Sequence, residues 1–143
     1  MKIVDANVLL YAINPHEAQH DVSRSWLDSA LTGEEPIGFS WISILAFLRL
    51  STLPGAFARP LEIREAGMVA ESWLAQPAAV VVDPTPRHLS LVRGLLEPIG
   101  VGGNLVNDAH LAALAIEHGA EVVSFDRDFG RFPGLRWQLP GST

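Results

Sequence analysis

The chain has 143 residues, of which 48% are hydrophobic and 18% are charged, a composition typical of a folded globular protein. It contains no cysteine, which excludes a disulfide scaffold, a thiolate zinc site and a cysteine nucleophile. Ten basic against 16 acidic residues give a net charge of −6, which excludes a broad basic surface for duplex DNA. The length suits one domain, which we expect to span residues 1–140.

The N-terminus and the apolar runs predict where the protein resides. An acidic residue at position 5 leaves no room for the apolar region of a signal peptide. The longest apolar run, Ile37 to Leu53, is interrupted by Arg49 and is too short to cross a bilayer. These features predict a cytoplasmic protein with no membrane contact.

Short apolar runs alternate along the chain with segments that have apolar residues at helical spacing. In chain order, the pattern predicts a strand at 3–4, helices at 7–13 and 17–31, a strand at 36–39, helices at 41–50 and 60–76, a strand at 80–82, helices at 85–98 and 105–118, and strands at 121–125 and 135–138. Ser40 is the expected N-cap of the 41–50 helix, and Gly119 closes the 105–118 helix.

This alternation indicates an α/β fold with a central, mainly parallel sheet of four to five strands flanked by helices. The 80–82 strand is apolar on both faces, as expected inside a parallel sheet, whereas the short 135–138 strand is expected near an edge. Ligands of such sheets bind outside the carboxyl ends of the strands. Functional residues are therefore expected where the strands end.

Acidic residues occupy these positions. Asp5 directly follows the first strand, and Asp126 directly follows the fourth, with Asp128 two residues later. Asp108 lies in the first turns of the 105–118 helix, on a largely apolar face. Purely structural roles also account for each: a helix cap for Asp5, a helix-dipole partner for Asp108, and a surface turn for the other two.

Carboxylates that converge at one edge of a sheet repel one another, and they stay ionised together only if a cation sits among them. An oxygen-only ligand set indicates Mg²⁺ or Mn²⁺ rather than zinc. Because Mg²⁺ commonly takes substrate phosphate oxygens as ligands, the pattern points to phosphate chemistry.

Several segments, spread in order over essentially the whole chain, carry a resemblance to a known family. They are IVDANVLLYA at 3–12, SWIS at 40–43, AFLRL at 46–50, GNLVNDAHLAA at 103–113, VSFDRDF at 123–129 and RFPGL at 131–135. With these segments the chain resembles the PIN-domain ribonucleases, and among them the VapC toxins of VapBC toxin–antitoxin pairs.

The resemblance implies a Mg²⁺- or Mn²⁺-dependent endoribonuclease with a PIN-like three-layer fold. It also implies neutralisation by a VapB-type antitoxin and, usually, a homodimer. Asp5 and Asp108 match the family's two best-defined metal-binding aspartates. Asp126 matches the C-terminal acid of the site, and Asp128 a more variable neighbour. We therefore expect the first three to be catalytic metal ligands, with Asp128 as a further candidate ligand.

One position departs from the family pattern. Many PIN domains carry a glutamate on the helix after the second strand, but residues 36–61 contain no Asp or Glu, and Phe47 stands at the corresponding place. The departure leaves the number of bound metal ions open. We expect one tightly held ion, with a second arriving only with substrate.

Two residues beside the acids are candidates for substrate contact. Asn7 could contact water or phosphate, although fixing the strand-to-helix turn accounts for it equally well. Arg127 could contact a phosphate, or be an ordinary solvated charge. Ser124 is expected to hydrogen-bond locally, and the tryptophans at 26, 41 and 73 are expected in the core or at a partner interface.

The residues also leave two other functions open. A phosphohydrolase of the haloacid dehalogenase type likewise places an Asp after the first strand. That chemistry needs a second Asp at position 7, where this chain has Asn, and a downstream lysine, whereas Lys2 is the only lysine. A non-catalytic binding module with the same fold would account for the missing glutamate.

Overall fold

The computed structural model describes residues 1–142, and the elements alternate much as the sequence predicts. In chain order they are β1 (Lys2–Val4), α1 (Ala6–Ile13), α2 (His20–Leu31), β2 (Ile37–Phe39), α3 (Trp41–Ser51), α4 (Ile63–Leu74), β3 (Ala79–Val81), α5 (His88–Leu96), α6 (Leu105–Glu117), β4 (Glu121–Val123), a short 3-10 helix (Arg127–Arg131) and β5 (Trp137–Gln138).

The five strands form one parallel sheet in the order β3-β2-β1-β4-β5, which confirms the predicted fold class. The first strand is central: Ile3 pairs with Gly38 of β2 on one side and with Val122 of β4 on the other. The chain winds from β1 towards β3 and then returns to build β4 and β5 on the opposite side. The switch point of the sheet, where ligands of such folds bind, therefore lies between the carboxyl ends of β1 and β4.

Alternate residues of the strands point to opposite faces of the sheet, which gives the fold its three layers. Val4 and Val123 face a core packed with residues of α1 to α4. Ile3 and Val122 face a second core packed with residues of α5, α6 and the 3-10 helix. Helices thus cover both faces, as the all-parallel sheet requires.

The prediction that the 80–82 strand lies inside the sheet was wrong. The strand, β3, is the outermost on its side, and Val80 and Val81 are each 39% exposed. The apolar composition of this run suggested a central strand. Composition, however, does not determine how many strands lie beside a given strand. The predicted edge position of β5 is confirmed.

Several boundaries also differ from the prediction. The second helix begins at His20 rather than at residue 17, and α4 begins at Ile63 rather than at residue 60. The fourth strand ends at Val123, because the amide of Phe125 bonds to the side chain of Asn7 instead of continuing the ladder. Ser40 caps α3 as predicted, accepting a hydrogen bond from the backbone N–H of Ser43 at 3.3 Å.

Within residues 1–142, none of the helices is both long enough and apolar enough to span a membrane.

The close pairing of β1 with β2 depends on Gly38, which lies opposite Ile3. A Cβ on Gly38 would lie 2.9 Å from Cγ1 of the fully buried Ile3 and 3.3 Å from Cγ1 of Val82. We expect Gly38→Ala to lower the free energy of unfolding by about 1–3 kcal/mol through overpacking. Urea denaturation measures the change.

Gly67 is the matched control, because it lies inside α4 and a Cβ there would meet nothing within 4 Å. Gly67→Ala is expected to raise the free energy of unfolding by about 0.5–1 kcal/mol through helix propensity. Equal effects of the two substitutions would contradict the close approach of β1 and β2 at Gly38.

Candidate metal centre

The three segments that reach the switch point each deliver acidic side chains. Asp126 is the N-cap of the 3-10 helix after β4, and its Oδ1 accepts a hydrogen bond from the N–H of Asp128 at 2.9 Å. Asp108 stands in the first turn of α6. Carboxylate oxygens of these three residues all lie within 4.8 Å of one another, close enough to share a metal ion. We call Asp108, Asp126 and Asp128 the acid group.

Asp5 lies beside the acid group and is held by its own hydrogen bonds. It is the N-cap of α1, and its Oδ1 accepts a bond from the N–H of Ala6 at 2.7 Å. Its Oδ2 accepts a bond from the hydroxyl of Ser124 at 2.7 Å. The capping role weighed from the sequence is thus present, and the same carboxylate is close enough for its charge to act on Asp108.

Ser124 connects the two halves of the site, a role that sequence reasoning missed. Its hydroxyl is fully buried, donates to Asp5, and accepts bonds from Asn7 Nδ2 at 3.0 Å and from the N–H of Asp126 at 2.9 Å. The available signal was a polar residue between an apolar strand and an acid at a strand end. One hydroxyl therefore orients the segments that carry Asp5 and Asp126.

The amide of Asn7 is engaged inside the protein. Its Nδ2 donates to Ser124 and lies 3.4 Å from Oδ2 of Asp5, and its Oδ1 accepts the N–H of Phe125 at 3.3 Å. These bonds support the turn-fixing role more than a contact with substrate. Arg127, in contrast, is exposed, and it forms no ion pair with any of residues 1–142.

Burial and mutual repulsion disfavour the ionised forms of the acids. Burial, followed by the charges of Asp126 and Asp5, raises the pKa of Asp108 from 3.8 to about 7. Burial also raises the pKa of Asp5, and the charge of Asp126 adds to it, despite the opposing hydrogen bonds from Ser124 and Ala6. A site of this kind retains a proton or binds a cation. Because every ligand atom is a hard carboxylate oxygen, the residues fit Mg²⁺ or Mn²⁺.

No acid faces this site from α3. Phe47, which the resemblance leads us to expect where many PIN domains carry a glutamate, is fully buried and packs edge-to-face on Trp73, with ring centroids 4.8 Å apart. Trp73 is partly buried and packs against the core, one of the two places predicted for it, whereas Trp41 is 53% exposed. The acids of the site come from the segments after β1 and β4 and from α6.

A comparison with protein families and with known proteins identifies relatives over nearly the full chain. The model of the family described as PIN domain matches residues 2–135. The chain is 55% identical over 140 residues to Ribonuclease VapC37 of Mycobacterium tuberculosis, covering 98% of this chain and 97% of the relative. It is 40% identical over 140 residues to Ribonuclease VapC31 of the same organism, covering 98% and 99%.

Solved structures share the fold at lower identity. A structure of VapBC2 from Rickettsia felis, bound to a DNA fragment from the VapBC2 promoter, matches with a TM-score of 0.70. The identity is 22%, and the match covers 96% of this chain and 97% of that one. VapC20 from Mycobacterium tuberculosis, a sarcin-ricin loop cleaving toxin, matches with a TM-score of 0.69 at 16% identity over 95% and 99%. These likenesses support the three-layer fold.

The raised pKa of Asp108 predicts how pH acts on the metal-free protein. The folded state holds this proton up to about pH 7, whereas the unfolded chain releases it near pH 3.8. The folded state thus binds more protons between these values, so this carboxyl makes the free energy of unfolding fall as pH rises through the interval. Asp108→Asn should flatten that fall.

Urea denaturation of both proteins in EDTA across the interval measures the difference. Added Mn²⁺ should stabilise the wild type increasingly as pH rises, because it binds the ionised acids. Identical pH profiles for the wild type and Asp108→Asn would contradict the electrostatic description of the site.

Because Ser124 orients Asp5 and Asp126, its replacement is expected to weaken metal binding although no metal ligand is removed. Ser124→Ala leaves Asp5 and the N–H of Asp126 without their shared partner. Groups that orient metal ligands typically contribute 10- to 100-fold in affinity, so we expect Mn²⁺ binding to weaken by about that factor. Isothermal titration calorimetry measures it. In the control, Ser51→Ala removes another buried hydroxyl, one without a hydrogen-bond partner among residues 1–142, and should leave Mn²⁺ affinity unchanged.

Proposed function

The chain belongs to the PIN domain family, and we propose that it is a metal-dependent endoribonuclease that acts as the toxin of a VapBC-type toxin–antitoxin pair. The observation that carries the proposal is the convergence of the acid group and Asp5 at the switch point of the sheet. The full-length relatives, which are named as VapC ribonucleases, support RNA as the substrate. We assign the activity to residues 1–140 as one domain.

The proposed roles follow from the hydrogen bonds. Asp5, Asp108 and Asp126 hold the Mg²⁺ or Mn²⁺ ion, and Asp128 adds a carboxylate within reach of the last two. When bound, the cation supplies positive charge that acidifies water and neutralises the charge that builds on the phosphate during hydrolysis. Alternatively, Asp126 orients the attacking water instead of binding the ion; its Oδ1 also accepts the N–H of Asp128.

Asp128 supplies an acid in a site whose family glutamate is absent. Phe47 fills its place with an aromatic ring in the core, so α3 contributes no ligand. Asp128 is exposed, and its carboxylate reaches both other members of the acid group. We propose that it completes the ligand set, with one ion held tightly and a second joining with substrate. Arg127, between two of these acids, is proposed to contact a substrate phosphate.

The phosphohydrolase alternative is disfavoured by the position of its only possible lysine. Lys2 lies at the start of β1, and its ammonium pairs with Glu35 at 3.2 Å. Asp5 follows the other end of the same strand, so the two residues lie at opposite ends of β1. The convergence of the acid group beside Asp5 disfavours a passive binding module, because close, repelling carboxylates lower stability unless a cation binds them.

The partners are proposed from the same site and family. Because the site is acidic, we propose that a VapB-type antitoxin inhibits it with a basic side chain placed among the carboxylates and an apolar segment along a neighbouring groove. A homodimer is proposed from the family resemblance. Because the proposed substrate is RNA, we also propose that the protein acts in the cytoplasm.

Cleavage of RNA tests the proposal directly. The wild type with Mn²⁺ should cut a total RNA preparation internally, and EDTA should stop the reaction. Asp5→Asn, Asp108→Asn and Asp126→Asn should each lower the cleavage rate by about 100-fold or more, because each removes charge that holds the cation. Asp128→Asn should lower it by only about tenfold, since the other acids remain. Gel electrophoresis of end-labelled RNA measures the rates.

Asp21→Asn, at an exposed aspartate in the first turn of α2, is the control and should cleave at the wild-type rate. Release of phosphate from small esters without RNA cleavage would instead support the phosphohydrolase. Expression of the wild type alone should slow bacterial growth, and expression of Asp108→Asn should not. Normal growth of cells that contain active wild-type nuclease would contradict the toxin role.

A further inference from the structure

Two aromatic side chains border the candidate metal centre, and the mechanism does not use them. Tyr11 lies one helical turn after Asn7 on α1, and Phe125 immediately precedes Asp126. Their rings pack edge-to-face, with centroids 5.3 Å apart and planes at 75°. We call Tyr11 and Phe125 the aromatic pair.

The aromatic pair is fixed by the same hydrogen bonds that orient the acids. The N–H of Phe125 donates to Oδ1 of Asn7 at 3.3 Å, and Nδ2 of Asn7 donates to the hydroxyl of Ser124 at 3.0 Å. That hydroxyl in turn bonds to Asp5. The rings therefore keep a defined position relative to the carboxylates.

The rings and the acid group come from opposite sides of the sheet. Phe125 packs against the core formed with α1 to α4, whereas Asp108 is carried by α6, which covers the other face. Ser124 bonds to Asp5 between them. Phe125 thus lies on the α1 side of the sheet and is next to Asp126 in the chain, whereas Asp108 comes from α6 on the other side.

Both rings of the aromatic pair are partly exposed. Phe39, Phe47 and Phe129 are at most 1% exposed, as large core aromatics normally are. Tyr11 and Phe125 both remain partly exposed, although Phe125 packs against the core formed with α1 to α4. Partly exposed rings beside a phosphate-binding site are the usual platform for single-stranded bases.

The charge of the chain favours this mode of binding. With a net charge of −6 and one lysine, the protein cannot attract RNA along a basic surface. Beyond the cation-held phosphate and the proposed contact of Arg127, affinity then depends on contacts that do not neutralise phosphates. Base stacking is such a contact, and it accepts any base because every base has a π-face.

Given the proposed ribonuclease function, on which this inference rests, we infer that Tyr11 and Phe125 form a nucleobase subsite that stacks a base adjacent to the cleaved phosphate. The subsite serves single-stranded RNA, because a base in a duplex is already stacked and its face is covered. It binds bases with little regard to identity.

Kinetics on a fluorescein-labelled single-stranded RNA of mixed sequence test the inference with Mn²⁺ present. Tyr11→Leu and Phe125→Leu keep apolar bulk but remove a π-face, and each should lower kcat/KM by about tenfold, mainly through a higher KM. Tyr11→Phe and Phe125→Tyr keep the rings and should stay within about twofold of the wild type. The loss should persist from low to high salt, because no phosphate contact is removed.

Two further readouts separate stacking from a structural effect. Mn²⁺ affinity and melting temperature should be unchanged in Tyr11→Phe and Phe125→Tyr, and Mn²⁺ affinity should be unchanged in the leucine variants. An oligonucleotide with one abasic position beside its cleavage site should lower kcat/KM for the wild type but not further for Tyr11→Leu. Met68→Ala, at an exposed apolar residue of α4, is the control and should match the wild type.

The possible outcomes distinguish failure of the nucleobase subsite from failure of the proposed ribonuclease function. Cleavage by the wild type with equal kcat/KM in both leucine variants would overturn the subsite and leave the nuclease intact. Leucine variants that cleave RNA normally but escape inhibition by the antitoxin would assign the aromatic pair to the protein partner, which also overturns the subsite. Absence of RNA cleavage by the wild type would overturn both proposals.

Discussion

Repulsion among carboxylates at one edge of the sheet is the interaction on which the rest of the molecule depends. Burial and the charges of Asp126 and Asp5 raise the pKa of Asp108 to about 7, so the metal-free protein holds these acids together at a cost in stability. Hydrogen bonds from Ser124 and Ala6 to Asp5 oppose the repulsion without removing it. A divalent cation relieves it, which couples the stability of the fold to its proposed chemistry.

The topology of the sheet creates this convergence. Because β1 is central and the chain departs from it in one direction and returns in the other, the ends of β1 and β4 are adjacent. The first turn of α6, which precedes β4, brings Asp108 to the same edge. Gly38 permits the close pairing of β1 with β2 on the far side. The acids are far apart in the sequence, yet short strands and tight caps bring them together.

An acidic protein that acts on a polyanion has few ways to hold its substrate. The net charge of −6 removes the general attraction that most nucleic-acid-binding proteins use. In the proposed mechanism the cation attracts one phosphate, and the inferred base stacking on the aromatic pair adds a contact that does not depend on charge. A partner that occupies the acid group would therefore block the binding of the phosphate.

The sequence by itself determined the α/β alternation, because hydrophobic period and cap residues such as Ser40 are local properties. It also located Asp5, Asp108 and Asp126 as candidate ligands, since strand ends and a family pattern can be read along the chain. Only the tertiary structure decided that Asp128 joins the acid group and that the amide of Asn7 is engaged internally.

Long-range neighbours account for what the sequence left undecided. Composition could not place β3 at the edge of the sheet, because strand order depends on how helices pack on its faces. The hydroxyl of Ser124 acquires its role from Asp5 and Asn7, which are more than 110 residues away along the chain. Phe47 became a core residue through Trp73 on another helix. Each outcome depends on a contact between distant segments, and the fold must exist before such a contact does.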